Sequence, residues 1–325
     1  MAVKERKDSF RGDRISADFA DKFLKSKFYT DVYKKHQNEI IIGVRDGYIN
    51  LYYNCDSIAK ISALNSSLTA EISSYYVGKS RLSADEIVKK YDEIKKKSDS
   101  HTKDKSEKQA QERLYIDNNN NPDSEWFCID VEYMKAYKNK AKPEGWRFDM
   151  IAITKEAPYR VALIELKYGS KAIGGVCGIR KHIKDYVQFH KDNSFDVLKP
   201  EIVSIIKALI KLGVKVPESL KVIEENMVCD KPEYYFITLN NNPSGKSGST
   251  PEMTMGGYLF KEDDDNKHPW GSKRVSIEVK NNEDYYALIA GTNDFKPTFL
   301  FSKSKLPDLK IPAILDETYY SKREV

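Results

Sequence analysis

A mixed β-sheet flanked by helices, in the α/β (α+β) class, is the fold the sequence predicts. Three observations predict it. Three runs rich in aromatic and β-branched residues follow one another: EWFCIDVEYM (125–134), RFDMIAIT (147–154) and YRVALIELK (159–167). Two amphipathic helices come next, at 174–190 and 200–213. YYFITL (234–239) then supplies an apolar run suited to a buried strand.

The elements can be justified in chain order. Residues 1–14 read as a polar arm, and 16–35 as helical, with Phe19, Phe23 and Leu24 on one side. Residues 38–62 read as a β-meander, because the D-G of RDGYINLYY is a turn between two β-rich runs. Ser83 and Glu86 form an S-x-x-E capping box, which starts a helix at SADEIVKKYDEIKKK. From Lys95 to Lys108 the chain is nearly all polar and fits a solvated helix or a loop. NNNNPD (118–123) is a break. In the first amphipathic helix Ile179, Ile183, Tyr186 and Val187 recur at i, i+4, i+7 and i+8, one face of a 3.6-residue period. Gly213 closes the second. GGYLF, RVSIEVK, YYALIA and TFLFS are further short strands toward the C-terminus. The expected organisation is an N-terminal α+β region (1–115), which also fits within one domain, and a core with added C-terminal strands (116–325).

Composition narrows the function. The net charge of +5, from 54 basic and 49 acidic residues, permits contact with nucleic acid without requiring it. The four cysteines are far apart with no C-x-x-C, and the five histidines are scattered, which argues against structural zinc and a disulfide framework. A reducing cytoplasm fits, with no apolar signal region and no run near the ~20 residues of a membrane span. NPSGKSGST (242–250) is not a phosphate-binding P-loop, since Asn240 stands where that motif needs glycine. KEDDDNK (261–267) lacks the pattern of a calcium loop.

The chemistry-bearing residues lie where apolar runs meet charges. Glu165 and Lys167 are two apart in YRVALIELK, so both point to one face of a strand. Asp149 lies 16 residues before Glu165 with a turn between. An antiparallel hairpin brings the two acids together, and the expectation is that it must be somewhat irregular to do so. Two neighbouring carboxylates repel, and a hard divalent cation relieves that repulsion. Asp149 and Glu165, with the carbonyl of Leu166, are the candidate ligands for Mg2+ or Mn2+. Lys167 beside them is placed to orient water or offset phosphate charge, and the chemistry suggested is phosphodiester hydrolysis. The bland alternative is an ion pair of Glu165 and Lys167 at an exposed strand end, worth ~0–1 kcal/mol.

This D-x(15)-E-L-K pattern on consecutive strands, followed by a helix, resembles the PD-(D/E)xK nuclease superfamily over about residues 125–240. Phe148 stands where the named motif has proline. The resemblance implies a restriction-endonuclease-like core and cleavage of nucleic acid, DNA ahead of RNA. Asp149 and Glu165 would then hold the metal, and Lys167 would be the catalytic lysine. Homodimers that cut two strands are common in that superfamily. Some exonuclease branches carry Gln-x-x-x-Tyr on the next helix, where this chain has His182 and Tyr186, read as substrate-side residues. A further acid commonly comes from ahead of the Asp strand. Glu132 is favoured over Asp130, with Glu112 and Glu71 weaker. Lys171, Arg180 and Lys181 sit in a stretch (169–191) with five basic residues and one Asp, and are read as phosphate contacts. The plain readings are a solvated helix face for the basic residues, a surface His182 and a core Tyr186. The alternative function is a catalytically inactive nuclease-fold module that binds nucleic acid or a protein partner.

Overall fold

A computed structural model describes residues 10–64, 67–78, 80–100, 106–135, 145–168, 179–239, 295, 297–301 and 321–324. The chain is α+β and divides into two compact units, 1–103 with 196–228, and 104–195 with 229–325. The expected boundary at 115/116 is therefore displaced. The helix that begins at Ser106 belongs with the second unit, and a later helix returns to the first. Among the described residues no helix is long and apolar enough to cross a membrane.

The first unit opens with a 3-10 turn, Gly12–Arg14, so part of the expected arm is ordered; residues 1–9 lie outside the described residues. Helix α1 (Ala17–Lys25) is capped by Ser16, whose Oγ accepts Phe19 N–H at 3.0 Å. A π-helical turn, Phe28–Tyr33, continues the helical segment. Strands β1 (Ile41–Val44), β2 (Ile49–Tyr53), β3 (Asp56–Leu64), β4 (Ser67–Glu71) and β5 (Arg81–Leu82) form an antiparallel sheet in sequential order. The D-G turn stands as expected, with Gly47 at φ 76° between β1 and β2. Between β2 and β3 the two loop residues Asn54 and Cys55 have φ 53° and 49°, the double positive φ that a tight hairpin favours. A short helix, α2 (Ser74–Val77), precedes α3 (Ala84–Ser100). The capping box is present: Glu86 Oε2 accepts Ser83 N–H at 2.8 Å and Ser83 Oγ accepts Glu86 N–H at 3.3 Å.

The second unit starts with α4 (Ser106–Asn120), which takes in the end of the polar stretch read as a solvated helix or a loop and runs into the expected break at 118–123. Its last residues are bound to the sheet rather than free. Asn118 Nδ2 donates to Trp126 O at 2.8 Å, and Asn119 exchanges bonds with both Cys128 N (2.7 Å) and Cys128 O (2.9 Å). Strands β6 (Trp126–Lys135), β7 (Trp146–Thr154) and β8 (Val161–Tyr168) form an antiparallel meander. Helix α5 (Ile179–Lys191) follows, and the expected start at 174 lies outside the described residues. Helix α6 (Phe195–Lys211) begins five residues before the expected position and contains Pro200. Strand β9 (Glu233–Leu239) runs parallel to β8, as a connection through helices demands. Strands β10 (Pro297–Phe301) and β11 (Ser321–Glu324) complete the mixed sheet, in the order β11-β10-β9-β8-β7-β6. The expected strands GGYLF, RVSIEVK and YYALIA, and the loops 242–250 and 261–267, lie outside the described residues.

Within the first unit α6 packs back on the N-terminal turn. Arg11 Nε meets Glu201 Oε1 at 3.0 Å, and Ser204 Oγ donates to Asp13 at 3.0 Å. A Cβ on Gly12 would lie 1.9 Å from Ser204 O, so this approach needs glycine. In the second unit the core lies on the inner strands. Every residue from Val161 to Lys167 is buried, which makes β8 a central strand covered on both faces. Glu165 and Lys167 sit inside that run.

Candidate active site

The register of β7 and β8 explains how the acids meet. The recorded pairs run from Ile153 with Val161 to Met150 with Ile164, and one further step of the same register sets Asp149 opposite Glu165. The backbone pairing itself stops at Met150 and Ile164, so the ladder is interrupted at the acids. Beyond Met150 the Asp149 side chain itself enters the ladder, since its Oδ2 accepts Leu166 N–H at 2.8 Å. Lys167 Nζ stands 2.6 Å from Glu165 Oε1 and donates to Leu166 O at 3.1 Å. The Leu166 carbonyl, expected as a metal ligand, is thus occupied by the lysine. His182, on α5, places Nδ1 3.1 Å from the same Glu165 Oε1. Glu165 Oε1 is thus buried, with the Lys167 ammonium and the His182 ring both against it.

Sequence reasoning missed Glu107. It lies on the first turn of α4, Oε1 3.5 Å from Lys167 Nζ and Oε2 accepting Tyr168 N–H at 3.3 Å. Four residues later on the same helix, Gln111 Nε2 donates to the Asp149 carbonyl. Nothing in the polar run before Glu107 marks it. Its only sequence mark is the i, i+4 spacing to a glutamine, which becomes informative once the helix is known.

Glu132 is near the acids but differently held. Val131 pairs with Met150 and Tyr133 with Phe148, which brackets Glu132 opposite Asp149 on the other side of β7. Its φ of 52° is in the left-handed region, which a non-glycine strand residue occupies only under constraint. Asp130, its rejected neighbour, is fully buried and accepts Val131 N–H at 2.9 Å. Glu112 is buried, and Glu71 lies in the first unit, paired with Lys60.

Tyr186 is 1% exposed, with its ring against Phe148, Tyr234 and Phe236. It belongs to the layer beneath the acids, not to a surface a polymer touches. Among the described residues its hydroxyl has no hydrogen-bond partner. Lys171 lies outside the described residues; Arg180 and Lys181 occupy the first turn of α5, but their side chains are outside them.

The electrostatics follow from crowding. Burial pushes Glu165 well above the ordinary carboxylate range, Asp149 adds to the rise, and Lys167 only partly opposes it. Burial also raises Asp149, against the pull of Lys167 and the Leu166 N–H. Glu107 is raised by burial, with Lys167 opposing and Asp149 adding, and Glu132 is raised by burial and then by Asp149. Burial pulls Lys167 down, but the fields of Glu165, Asp149 and Glu107 outweigh it, so its ammonium is held above the ordinary lysine value. Burial lifts the Tyr186 phenol well above its usual range, helped by Glu165 and Asp149. Four carboxyl groups share this region with the buried Lys167 ammonium, and the fields of Arg147 and Lys108 also favour the ionised forms of Asp149 and Glu132.

Among the described residues no group of three or more His, Cys, Asp or Glu side chains is arranged to hold a metal ion. Magnesium does not demand such a cage, since it binds through one or two carboxylates and keeps several waters. The donor set of Asp149 and Glu165 is all oxygen, and the field of Asp149 adds to the cost of ionising buried Glu165, which a cation would relieve. The chemistry of these residues therefore fits a small hard cation. Set against family models, curated proteins and solved structures, the chain matches none.

Proposed function

We propose that this protein is a metal-dependent nuclease of the PD-(D/E)xK type, with a restriction-endonuclease-like core, hydrolysing phosphodiester bonds of DNA ahead of RNA. One observation carries the reading: Asp149, the residue next to the last β7–β8 pair, sets its carboxylate on Leu166 N–H beside Glu165, and Lys167 Nζ stands 2.6 Å from Glu165. A buried ion pair of this kind does little for stability, because desolvation offsets its Coulomb energy. Its presence on a central strand speaks for chemistry.

In this reading Asp149 and Glu165 would hold Mg2+ or Mn2+, with the Leu166 carbonyl, which also accepts from Lys167, as a further oxygen. When bound, the ion stabilises charge developing on the phosphate oxygens and makes a water a better nucleophile. Lys167 is held in its charged form, so it serves as a cation toward phosphate or as an orienter of water, not as a base. Glu107 holds Lys167 and the Tyr168 peptide in place. His182 touches Glu165 from α5 and keeps part of its side chain in solvent, on the side from which a substrate approaches. Glu132 adds negative potential beside Asp149. Arg180 and Lys181 open α5 and, with Lys171, complete a basic stretch for the phosphate backbone. Free thiols at Cys55, Cys128 and Cys229 accord with the cytoplasm, and a homodimer accords with cutting both strands.

The test is incubation of the protein with labelled linear and circular DNA and with labelled RNA, with magnesium or manganese and with chelator, beside Lys167→Ala. Metal-dependent cleavage lost in the variant is the expected result, and the circular substrate separates endonuclease from exonuclease action. No cleavage of DNA or of RNA would overturn the reading in favour of an inactive binding module. Equal cleavage by Lys167→Ala would overturn the site assignment.

A further inference from the structure

We propose that Gln111 is a positioning residue that fixes Asp149 for metal binding, a role that rests on the nuclease reading. Gln111 is 2% exposed, so it touches no substrate and acts only through what it holds. Its Nε2 donates to the main-chain carbonyl of Asp149. The carboxylate end of the same residue is fixed separately, by Leu166 N–H at 2.8 Å. Asp149 is thus gripped at both ends, from α4 and from β8.

The position of this grip in the sheet gives it consequence. Recorded backbone pairing of β7 with β8 stops at Met150 and Ile164, one step short of the two acids. Past that step, side-chain bonds take the place of the ladder. Two of them come from one face of α4, four residues apart: Gln111 to the Asp149 carbonyl, and Glu107 to the Tyr168 N–H at 3.3 Å. One helix therefore sets the ends of both strands, and with them the separation of the carboxylates. A residue of this kind acts as the outer partners of metal ligands do, orienting ligands it never replaces. A buried amide is costly unless its donors are used, and this one is used on the acid strand.

The experiment compares wild type with Gln111→Met, which keeps the length and burial of the side chain and removes the donor. Three quantities are read: amide exchange at Leu166 in the metal-free protein, Mn2+ affinity by calorimetric titration, and kcat at saturating Mn2+. The expected result is Leu166 exchange about tenfold faster and an Mn2+ dissociation constant about tenfold higher. Exchange at Ile237 on β9 stays unchanged, and kcat at saturating metal stays within about threefold. Unchanged Leu166 exchange would overturn the proposal. So would equal acceleration at Leu166 and Ile237, which marks general loosening. Should Gln111→Met fail to fold, Gln111→Asn, one methylene shorter with its amide kept, is read the same way. If wild type binds no Mn2+ and cuts nothing, the nuclease reading fails, and Leu166 exchange alone decides whether Gln111 holds Asp149.

Discussion

Each unit carries a lysine–glutamate pair on its sheet, and the two pairs behave in opposite ways. Lys60 on β3 lies opposite Glu71 on β4, with Nζ 3.2 Å from Oε2 and side chains 40% and 37% exposed. The hydrogen bond from Lys60, with help from Arg81, holds the Glu71 carboxyl below its ordinary range. Lys167 is closer to Glu165, at 2.6 Å, yet Glu165 is pushed up. The difference is water. The second pair is 6% and 1% exposed, so desolvation and the nearby Asp149 exceed what one ammonium returns. The first pair is ordinary surface decoration of an antiparallel sheet. The second is a burden that stability alone does not explain.

Substitution of the two lysines tests that contrast most strongly. Lys167→Ala is expected to lower metal-dependent cleavage by ~10²–10³, the scale of losing a directed charge at a reacting phosphate. Lys60→Ala should leave both cleavage and the unfolding midpoint unchanged. Equal losses in the two variants would break the comparison.

Acid separates the pairs next. A carboxyl raised in the folded state holds its proton where the unfolded chain has lost it, so the folded protein binds more protons. Glu165, Asp149, Glu107 and Glu132 all shift this way. Stability of the metal-free second unit should therefore be full below the ordinary carboxylate value and fall as pH rises through the raised ones. Magnesium should flatten that fall, because it favours the ionised form. Glu71 has the reverse sign: its contribution is present above the ordinary value and lost as pH falls through the lowered one. Thermal midpoints at about pH 5 and about pH 8, with and without magnesium, check the first, and midpoints at about pH 3 and about pH 5 check the second. A slope identical in Glu165→Gln would remove Glu165 as its cause.

The smallest expected effects concern how each unit anchors a helix. Asn119→Ala removes both bonds to the Cys128 backbone and should cost about 1–3 kcal/mol. Ser83→Ala loses an exposed cap of α3 and should cost about 1 kcal/mol or less. Denaturant midpoints rank the two. A larger loss at Ser83 would mean that α4 is held by something other than its asparagines.

These anchors also explain what the sequence hid. Strands β6 to β9 and helix α5 were legible because their buried residues are apolar and periodic, and Asp149, Glu165 and Lys167 stood out against that background. Helix α4 was not legible, because its buried side includes Gln111, Glu112 and Asn118 among the apolar residues. A polar residue that bonds the sheet backbone resembles one that faces water, and Glu107 was lost with its helix. The turn at Asn54–Cys55, inside the span read as a β-meander, carried no mark of its own, since it takes positive φ without glycine. Pro200 suggested a helix start and instead lies inside α6. The acids were found, but how they meet depends on where the turn after Thr154 closes, which residue types alone do not fix.

The division of the chain bears on how the protein is made. Residues 1–103 share a unit with 196–228, and α6 supplies the Glu201 and Ser204 that meet Arg11 and Asp13. During synthesis those early residues must wait for about 125 more to emerge, some 6–25 s at ~5–20 residues per second. A ribosome that stalls between the two segments leaves an incomplete first unit with its N-terminal turn uncovered, a natural target for chaperones and proteases.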